Sequence, residues 1–352
     1  MLVVRINKEG FEYDIHSLVK AFYPKDEVKV ILAGTKSLFS DADKPELLIE
    51  REGTANDKNS IRIKLMEGKN HEKQALEQFY SLSDSPSKSE IRNGIKDIIY
   101  HALSNYTKQN LPWGSLTGIR PTKIAMGLLE EGKSKEEIFS YMKEQYFVSD
   151  EKIKLGIDIA IREKEILSGI HYEDGYSLYI GIPFCPTTCM YCSFTSNPIC
   201  AWKDRVDDYL TALEREIEGT AAIMAGKILD TVYIGGGTPT TLTADQLERL
   251  ITKVKATFDF SHVCEFTVEA GRADSITKDK LLLLKKMGVT RISVNPQTMN
   301  QITLDRIGRR HTVEDVISAF ALARECGFTN INMDLILGLP GEGEEEVSHT
   351  LS

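Results

Sequence analysis

The chain has 352 residues, 41% of them hydrophobic and 27% charged, with a formal net charge of −9. That length supports a large buried core and more than one domain, and the acidic balance argues against a general nucleic-acid-binding surface while leaving room for a local basic pocket. No apolar run is long enough to span a bilayer, and the opening Met-Leu-Val-Val-Arg-Ile reads as a first strand and not as a signal peptide.

Residues 1–66 read as a small α+β unit. Leu2 to Ile6 alternates as a strand, "EYDIHSLVKAFY" has helical periodicity, and "VKVILAG" and "SIRIKLME" are strand-like. "DADKPE" and "REGTANDKNS" read as loops between them. "LSDSPSKSE" marks a helix start, with Ser85 or Ser87 as the cap and Glu90 in the first turn. Helical patterns then run to Ile170, interrupted by "LPWGSLTGIRPTK", in which Pro121 suits the first position of a helix ending near Gly132.

From Ser177 strand-like and helical runs alternate. The strands are "SLYIGI", "DTVYIGGG", "CEFTVEAG", "RISVNPQ" and "NINMDLILGLP", each followed by a helical segment. Five such pairs in series predict a parallel sheet with helices outside it, a barrel or partial barrel whose chemistry lies at the carboxyl ends of the strands. The boundary falls between residues 1–170 and 171–352.

Three of six cysteines, Cys185, Cys189 and Cys192, follow the first strand of that series in "GIPFCPTTCMYCSF". With neither a signal peptide nor a membrane span read from the sequence, the expected location is the cytoplasm, where disulfides are rare, so clustered thiols suggest a metal or catalysis. Core packing does not suit three thiols in a Pro/Thr-rich loop. Structural zinc wants four ligands, and Cys200 is the one thiol nearby to complete the set. An iron–sulfur cube on three thiolates leaves one iron open, which suits a site that binds substrate or cofactor. Gly235-Gly236-Gly237-Thr238-Pro239 reads either as a tight turn or as backbone against which a ligand lies. Neither a dinucleotide fingerprint nor a P-loop fits it. Glu269, Gln297 and Asp334 fall at or in the later strands, and a carboxylate within the apolar run around Asp334 needs a partner or a ligand. Arg309 lies in "IGRRH", where two adjacent cations suit the end of a helix and its dipole. The histidines at 16, 71, 101, 171, 262 and 349 show no ligand spacing, His311 adjoins the arginines as a candidate for touching substrate, and Cys264 and Cys326 read as small apolar packers.

The C-x3-C-x2-C spacing, with Tyr191 before the third cysteine, resembles the signature of radical S-adenosylmethionine enzymes. "YIGIPFC", "YIGGGTPTTL", "FTVEAGRADSI", "RISVNPQTMN", "IGRRHT" and "MDLILGLPGE" resemble in order the motifs of oxygen-independent coproporphyrinogen III oxidases and dehydrogenases, and "LPWGSLTGIRPTK" adds a likeness to their HemZ-type branch. The resemblance implies an α/β fold, a partial (β/α)6 radical-SAM barrel truncated after strand five and preceded by the small α+β and helical amino-terminal region. It implies a [4Fe-4S] cluster on Cys185, Cys189 and Cys192. It implies S-adenosyl-L-methionine held by Tyr179, Tyr191, Gly236, Gly237, Thr238, Glu269, Gln297, Arg309 and Asp334. The implied reaction uses a 5′-deoxyadenosyl radical to start oxidative decarboxylation of coproporphyrinogen III propionates to vinyl groups in haem biosynthesis. The implied partners are a porphyrinogen-like substrate and a one-electron donor such as flavodoxin or ferredoxin, with neither nucleic acid nor membrane. Arg272, Arg310, Arg120 and Lys123 are candidates, by charge, for the substrate carboxylates.

Two positions depart from the best-known oxidases, which carry a His where this chain has Gly181 and a fourth cysteine where it has Phe194. A haem-binding chaperone of the same family, and a radical enzyme with another substrate, are therefore alternative readings. The last helical segment, "EEEVSHTLS", starts and stops within nine residues. The sequence therefore predicts a fragment with an open, curved sheet and a cavity too shallow for a porphyrinogen.

Overall fold

A computed structural model describes all residues except 36–40, 42–43, 53–58, 68–72 and 119. Most of the loop expected at 51–60, part of that at 41–46, and His71 lie outside the described residues. The chain divides into two compact units, Met1–Ile166 and Leu167–Ser352.

In the first unit, β1 (Leu2–Ile6), α1 (Glu12–Phe22), β2 (Val28–Leu32), β3 (Glu46–Glu52), β4 (Ser60–Glu67) and β5 (Lys73–Ser81) precede α2 (Lys88–Thr107). The sheet order is β2-β1-β3-β4-β5. β1 pairs in parallel with β2 and β3, and β4 is antiparallel to β3 and β5. Alternating apolar residues such as Leu2, Val4 and Ile6 bury one face against Ile15, Leu18 and Val19 of α1 and Ile95 and Ile99 of α2. β3 and β5 are not anticipated by the sequence reading. β5 is an edge strand with little buried surface whose first half, Lys-Gln-Ala-Leu-Glu, favours helix, so pairing with β4 outweighs that preference. Ser87 caps α2, accepting from Glu90 N at 3.1 Å. Pro121 stands one residue before α3 (Thr122–Glu130), at its cap and not at its first helical position. With α4 (Lys135–Tyr146) and α5 (Asp150–Leu167), α3 shares a small separate core of Ala125, Ile138, Met142, Ile153 and Ile157.

The second unit opens with β6 (Gly175–Ile182), the two-residue strands β7 (Phe184–Cys185) and β8 (Asn197–Pro198), the short α6 (Ile199–Trp202), and α7 (Val206–Ile223). Then come β9 (Ile228–Gly236), α8 (Ala244–Thr257), β10 (Glu265–Glu269), α9 (Lys278–Lys286), β11 (Arg291–Ser293), α10 (Gln301–Arg306), α11 (Val313–Glu325), β12 (Asn330–Asn332) and α12 (Glu344–Leu351). The main sheet runs β12-β11-β10-β9-β6, parallel and in chain order. Among the described residues no strand pairs with the outer edge of β12. Capping boxes at Thr243 and Thr312 fix the starts of α8 and α11.

Period-two alternation sorts the side chains. Ile180, Ile182, Val232, Ile234, Phe266 and Val268 face the helices and pack on Leu210, Leu247, Ile251 and Leu281. The intervening residues of the same strands face the opposite way. The fifth strand is shorter than expected: it ends at Asn332, and beyond it the segment meets its neighbour at a single bridge between Leu335 and Gln297 before turning at Gly338, with φ +77°. Asp334 is thus exposed just past the strand and not enclosed in it. Cys264 is exposed as well, its thiol on the Asp230 carbonyl at 3.3 Å, whereas Cys326 is buried in the core as expected. His171 is not a bare surface residue either: its Nδ1 lies 2.8 Å from the buried Asp230 carboxylate. No helix among the described residues is long and apolar enough to cross a membrane.

Candidate active site

The parallel register brings Tyr179 of β6 opposite Tyr233 of β9, on the face away from the helices, and the rings stack at 5.7 Å. Thr267 of β10 is opposite Tyr233, so Glu269, two residues on, emerges on the same face. Tyr233 donates its hydroxyl to Glu269 Oε1 at 2.5 Å.

Past the end of β6 the chain enters the cysteine loop. Pairing of β7 with β8 closes its base. Met190 N on the carbonyl of Ile307 (3.0 Å) and Thr187 Oγ1 on that of Gly308 (3.2 Å) tie it to the segment after α10. Gly237 N and Thr238 N donate to the carbonyls of Ile182 and Phe184 at 2.6 and 2.7 Å, so the glycine turn lies flat against the start of the loop. Gly236 has φ +107°, and a Cβ there would lie 2.7 Å from Ile182 N. One on Gly237 would lie 2.6 Å from the Phe184 carbonyl and 3.0 Å from Cys185 Sγ. Close approach of the first two strands' ends thus requires these glycines, whatever binds beside them. We expect Gly236→Ala to cost about 1–3 kcal/mol of stability, read by urea unfolding. A cost near zero would show that the turn is loose.

Arg309 is 6% exposed. Its guanidinium donates to the carbonyl of Asn295 at 2.8 Å and to Tyr191 Oη at 3.1 Å, while its Nε has no partner. Asn295 also clasps Asp334, donating from Nδ2 to the carboxylate at 2.8 Å and accepting from Asp334 N at 3.1 Å. Asn332 Nδ2 donates to the other oxygen at 2.8 Å. Gln297 takes a left-handed φ of +65°, its N–H donating to the Asp334 carbonyl at 3.0 Å and its own carbonyl accepting from Ile336 N at 3.0 Å. A non-glycine residue there carries on the order of 1–3 kcal/mol of strain, a feature that clusters at ligand sites.

All twelve residues named from the sequence line one cavity of about 470 Å³: Cys185, Cys189, Cys192, Tyr179, Tyr191, Gly236, Gly237, Thr238, Glu269, Gln297, Arg309 and Asp334. Sequence reasoning missed Tyr233, Asn295, Thr187, Ser196 and Gly271, which line it too. Period-two alternation in "DTVYIGG" would have found Tyr233. Cys200 is exposed on α6. Of the cations proposed for substrate, Arg272 lines the cavity but is 3% exposed and committed to Asp274, which removes it from that role. Arg310 is exposed, and His311 is 1% exposed, too enclosed to touch a substrate. Arg120 and Lys123 are exposed residues of the first unit.

Residues 179–352 match the family described as the Radical SAM superfamily. This part of the chain is a radical SAM domain. An oxygen-independent coproporphyrinogen-III oxidase-like protein HemZ of Bacillus subtilis is 41% identical over 281 residues, covering 78% of this chain and 56% of the relative. A heme chaperone HemW of Bacillus subtilis is 42% identical over 177 residues, or 50% of this chain and 46% of the relative. An oxygen-independent coproporphyrinogen III oxidase of Escherichia coli is 35% identical over 179 residues, or 51% of this chain and 39% of the relative. The chain thus spans about half the length of the curated relatives it matches. Its radical SAM domain is related to both the oxidases and the chaperones.

Radical SAM proteins use a [4Fe-4S] cluster and S-adenosylmethionine. The donor set fits both: three thiols, a buried guanidinium with an unpartnered N–H, and clasped carboxylates in one cavity. Among the described residues no three His, Cys, Asp or Glu side chains gather tightly enough to hold a single metal ion. A cluster of several irons does not need that convergence, since its thiolates bind different irons. Burial pushes the Cys185 thiol up, against the opposing pull of Thr238 and Arg272, so taking up metal there releases a proton.

Burial raises the Glu269 carboxyl above the usual carboxylate range, with the Tyr233 hydrogen bond opposing and the Asp334 charge adding. The folded chain therefore holds this proton to higher pH than the unfolded chain does. That contribution to stability is present at low pH and is lost as pH rises through the raised value. Glu269→Gln should accordingly raise the melting temperature of the ligand-free protein at pH 7–8, with the gain vanishing towards pH 4. A gain independent of pH would show that ionisation is not its source.

Proposed function

We propose that the chain is a radical S-adenosylmethionine enzyme acting on a porphyrinogen, in the oxidative decarboxylation of coproporphyrinogen III propionates to vinyl groups. The observation that carries the reading is the gathering of all twelve expected cofactor residues in one cavity at the carboxyl ends of the parallel strands. The cluster and S-adenosylmethionine supply, when bound, a primary carbon radical able to take a hydrogen atom from an unactivated position.

Within the reading, Cys185, Cys189 and Cys192 hold the cluster. Arg309 offers its guanidinium to the cofactor's carboxylate, where a charge-assisted bond is strong and directional. Gly236, Gly237 and Thr238 present backbone to the amino-acid end. Glu269, Gln297 and Asp334 accept hydrogen bonds from the amine and ribose. The stacked Tyr179 and Tyr233 close one wall and exclude water, and Tyr191 braces Arg309. A ferredoxin or flavodoxin supplies single electrons. The HemZ match supports the oxidase over the chaperone. Its 281 aligned residues exceed the length of the second unit, so it reaches into the first, whereas the HemW match is 177 residues long.

Anaerobic incubation of reconstituted protein with reductant, S-adenosylmethionine and coproporphyrinogen III tests the reading by mass spectrometry. Slow, stepwise loss of carbon dioxide and two hydrogens per decarboxylated propionate is expected, with little turnover in keeping with the shallow cavity anticipated from the sequence. Gly181 and Phe194 set the chain apart from the best-known oxidases, and a haem-binding member of the same family is the alternative. Stoichiometric haem binding with no decarboxylated product would decide for it.

A further inference from the structure

Beside the cysteine loop the buried Arg272 and His311 gather at Asp274, whose side chain is 23% exposed. Arg272 follows the end of β10, and its Nε and one terminal nitrogen fork onto Asp274 at 3.1 and 2.8 Å. The same terminal nitrogen reaches Thr187 Oγ1 at 3.1 Å. The other one reaches the Thr187 carbonyl at 3.3 Å and Cys189 Sγ at 3.6 Å. His311 lies 3.9 Å from the Asp274 carboxylate, fully buried, with neither ring nitrogen hydrogen-bonded. Burying a guanidinium this deeply is costly without a purpose that repays it. Simple packing would be met by an apolar side chain.

We propose that Arg272 is a positioning residue for the cluster: it locks the Thr187–Cys189 arc of the cysteine loop and, through its N–H bond to Cys189 Sγ and its charge, sets the cluster's reduction potential. The inference rests on the cluster reading above. Two of the quantities that tune such a potential are net charge and hydrogen bonds to sulfur. One-electron reduction, with the electron drawn from the ferredoxin- or flavodoxin-class donor, adds a negative charge beside the guanidinium. Arg272 therefore stabilises the reduced form and raises the potential. Asp274 orients the fork and, by its own charge, limits that rise. His311 and the Arg272 guanidinium, outweighing the effect of burial, hold the Asp274 carboxyl below the usual carboxylate range, so the counter-charge persists at working pH.

The test is an electron-paramagnetic-resonance redox titration of anaerobically reconstituted wild type, Arg272→Gln, Arg272→Lys and Asp274→Asn, each with an iron assay and a melting curve of the iron-free protein. Arg272→Gln is expected to keep its iron and to move the potential negative by about tenfold in the reduced-to-oxidised ratio at fixed poise, which is about 59 mV for one electron. Arg272→Lys should return part of the way, and Asp274→Asn should move it positive. An Arg272→Gln protein with full iron and an unmoved potential overturns the proposal. If that variant takes up no iron while its iron-free form melts as wild type does, the loop-locking role is supported. If it does not fold, Asp274→Asn decides, and an unmoved potential there overturns the proposal. Wild-type protein that takes up no iron would instead refute the cluster reading itself.

Discussion

Replacing Cys185 by alanine is expected to abolish the brown iron–sulfur chromophore and to reduce iron from about four per chain to a trace, whereas Cys200→Ala should leave both unchanged. Cys185 lies at the mouth of the glycine turn, its Sγ 3.4 Å from Thr238 Oγ1, and lines the same cavity as Cys189 and Cys192. Cys200 is exposed on a four-residue helix. Iron and acid-labile sulfide assays on anaerobically reconstituted protein provide the check. Tightly bound zinc in the purified protein, lost in Cys200→Ala, would favour a four-thiolate structural site instead.

Arg309→Ala is expected to weaken S-adenosylmethionine binding by about 1.5–3 kcal/mol, the range for a hydrogen bond to a charged group, or roughly ten- to hundredfold in dissociation constant. The guanidinium is already oriented by the Asn295 carbonyl and Tyr191, with its Nε unsatisfied and buried. A ligand carboxylate in the cavity that Arg309 lines would meet a guanidinium already held in place. Iron content should stay at the wild-type level, because Arg309 makes no hydrogen bond to the three thiols. Unchanged affinity in an anaerobic titration would mean that this arginine braces the loop and nothing more.

Much of this site was legible because its parts sit where local rules are strong. A β-α repeat fixes where strand ends fall, and the cysteines, Gly236 and Glu269 occur at or just beyond such ends, while Arg309 comes from the loop after α10. The misreadings arose where tertiary partners decide. Asp334 was assigned to a buried strand because Leu335, Ile336 and Leu337 extend an apolar run, yet Leu335 and Leu337 are 38% and 73% exposed and the strand stops at Asn332. Arg272 reads as a free cation although Asp274 stands two residues on, because its burial and its contact with Cys189, 83 residues away, arise only on folding. Tyr233 was within reach of the period-two alternation in "DTVYIGG", and its pairing with Tyr179 shows which face that alternation marks. In the first unit, β3 and β5 went unseen because their charged and amide residues carry little apolar alternation, and pairing with β4 provides what sequence pattern does not.

Reductive cleavage of S-adenosylmethionine tests the central claim most directly. Reconstituted wild-type protein, given dithionite and S-adenosylmethionine without oxygen, should release 5′-deoxyadenosine and methionine, resolved by liquid chromatography with mass detection. Cys189→Ala should release neither. A wild-type protein that holds its four irons, binds S-adenosylmethionine and still forms no 5′-deoxyadenosine under full reduction would contradict the account.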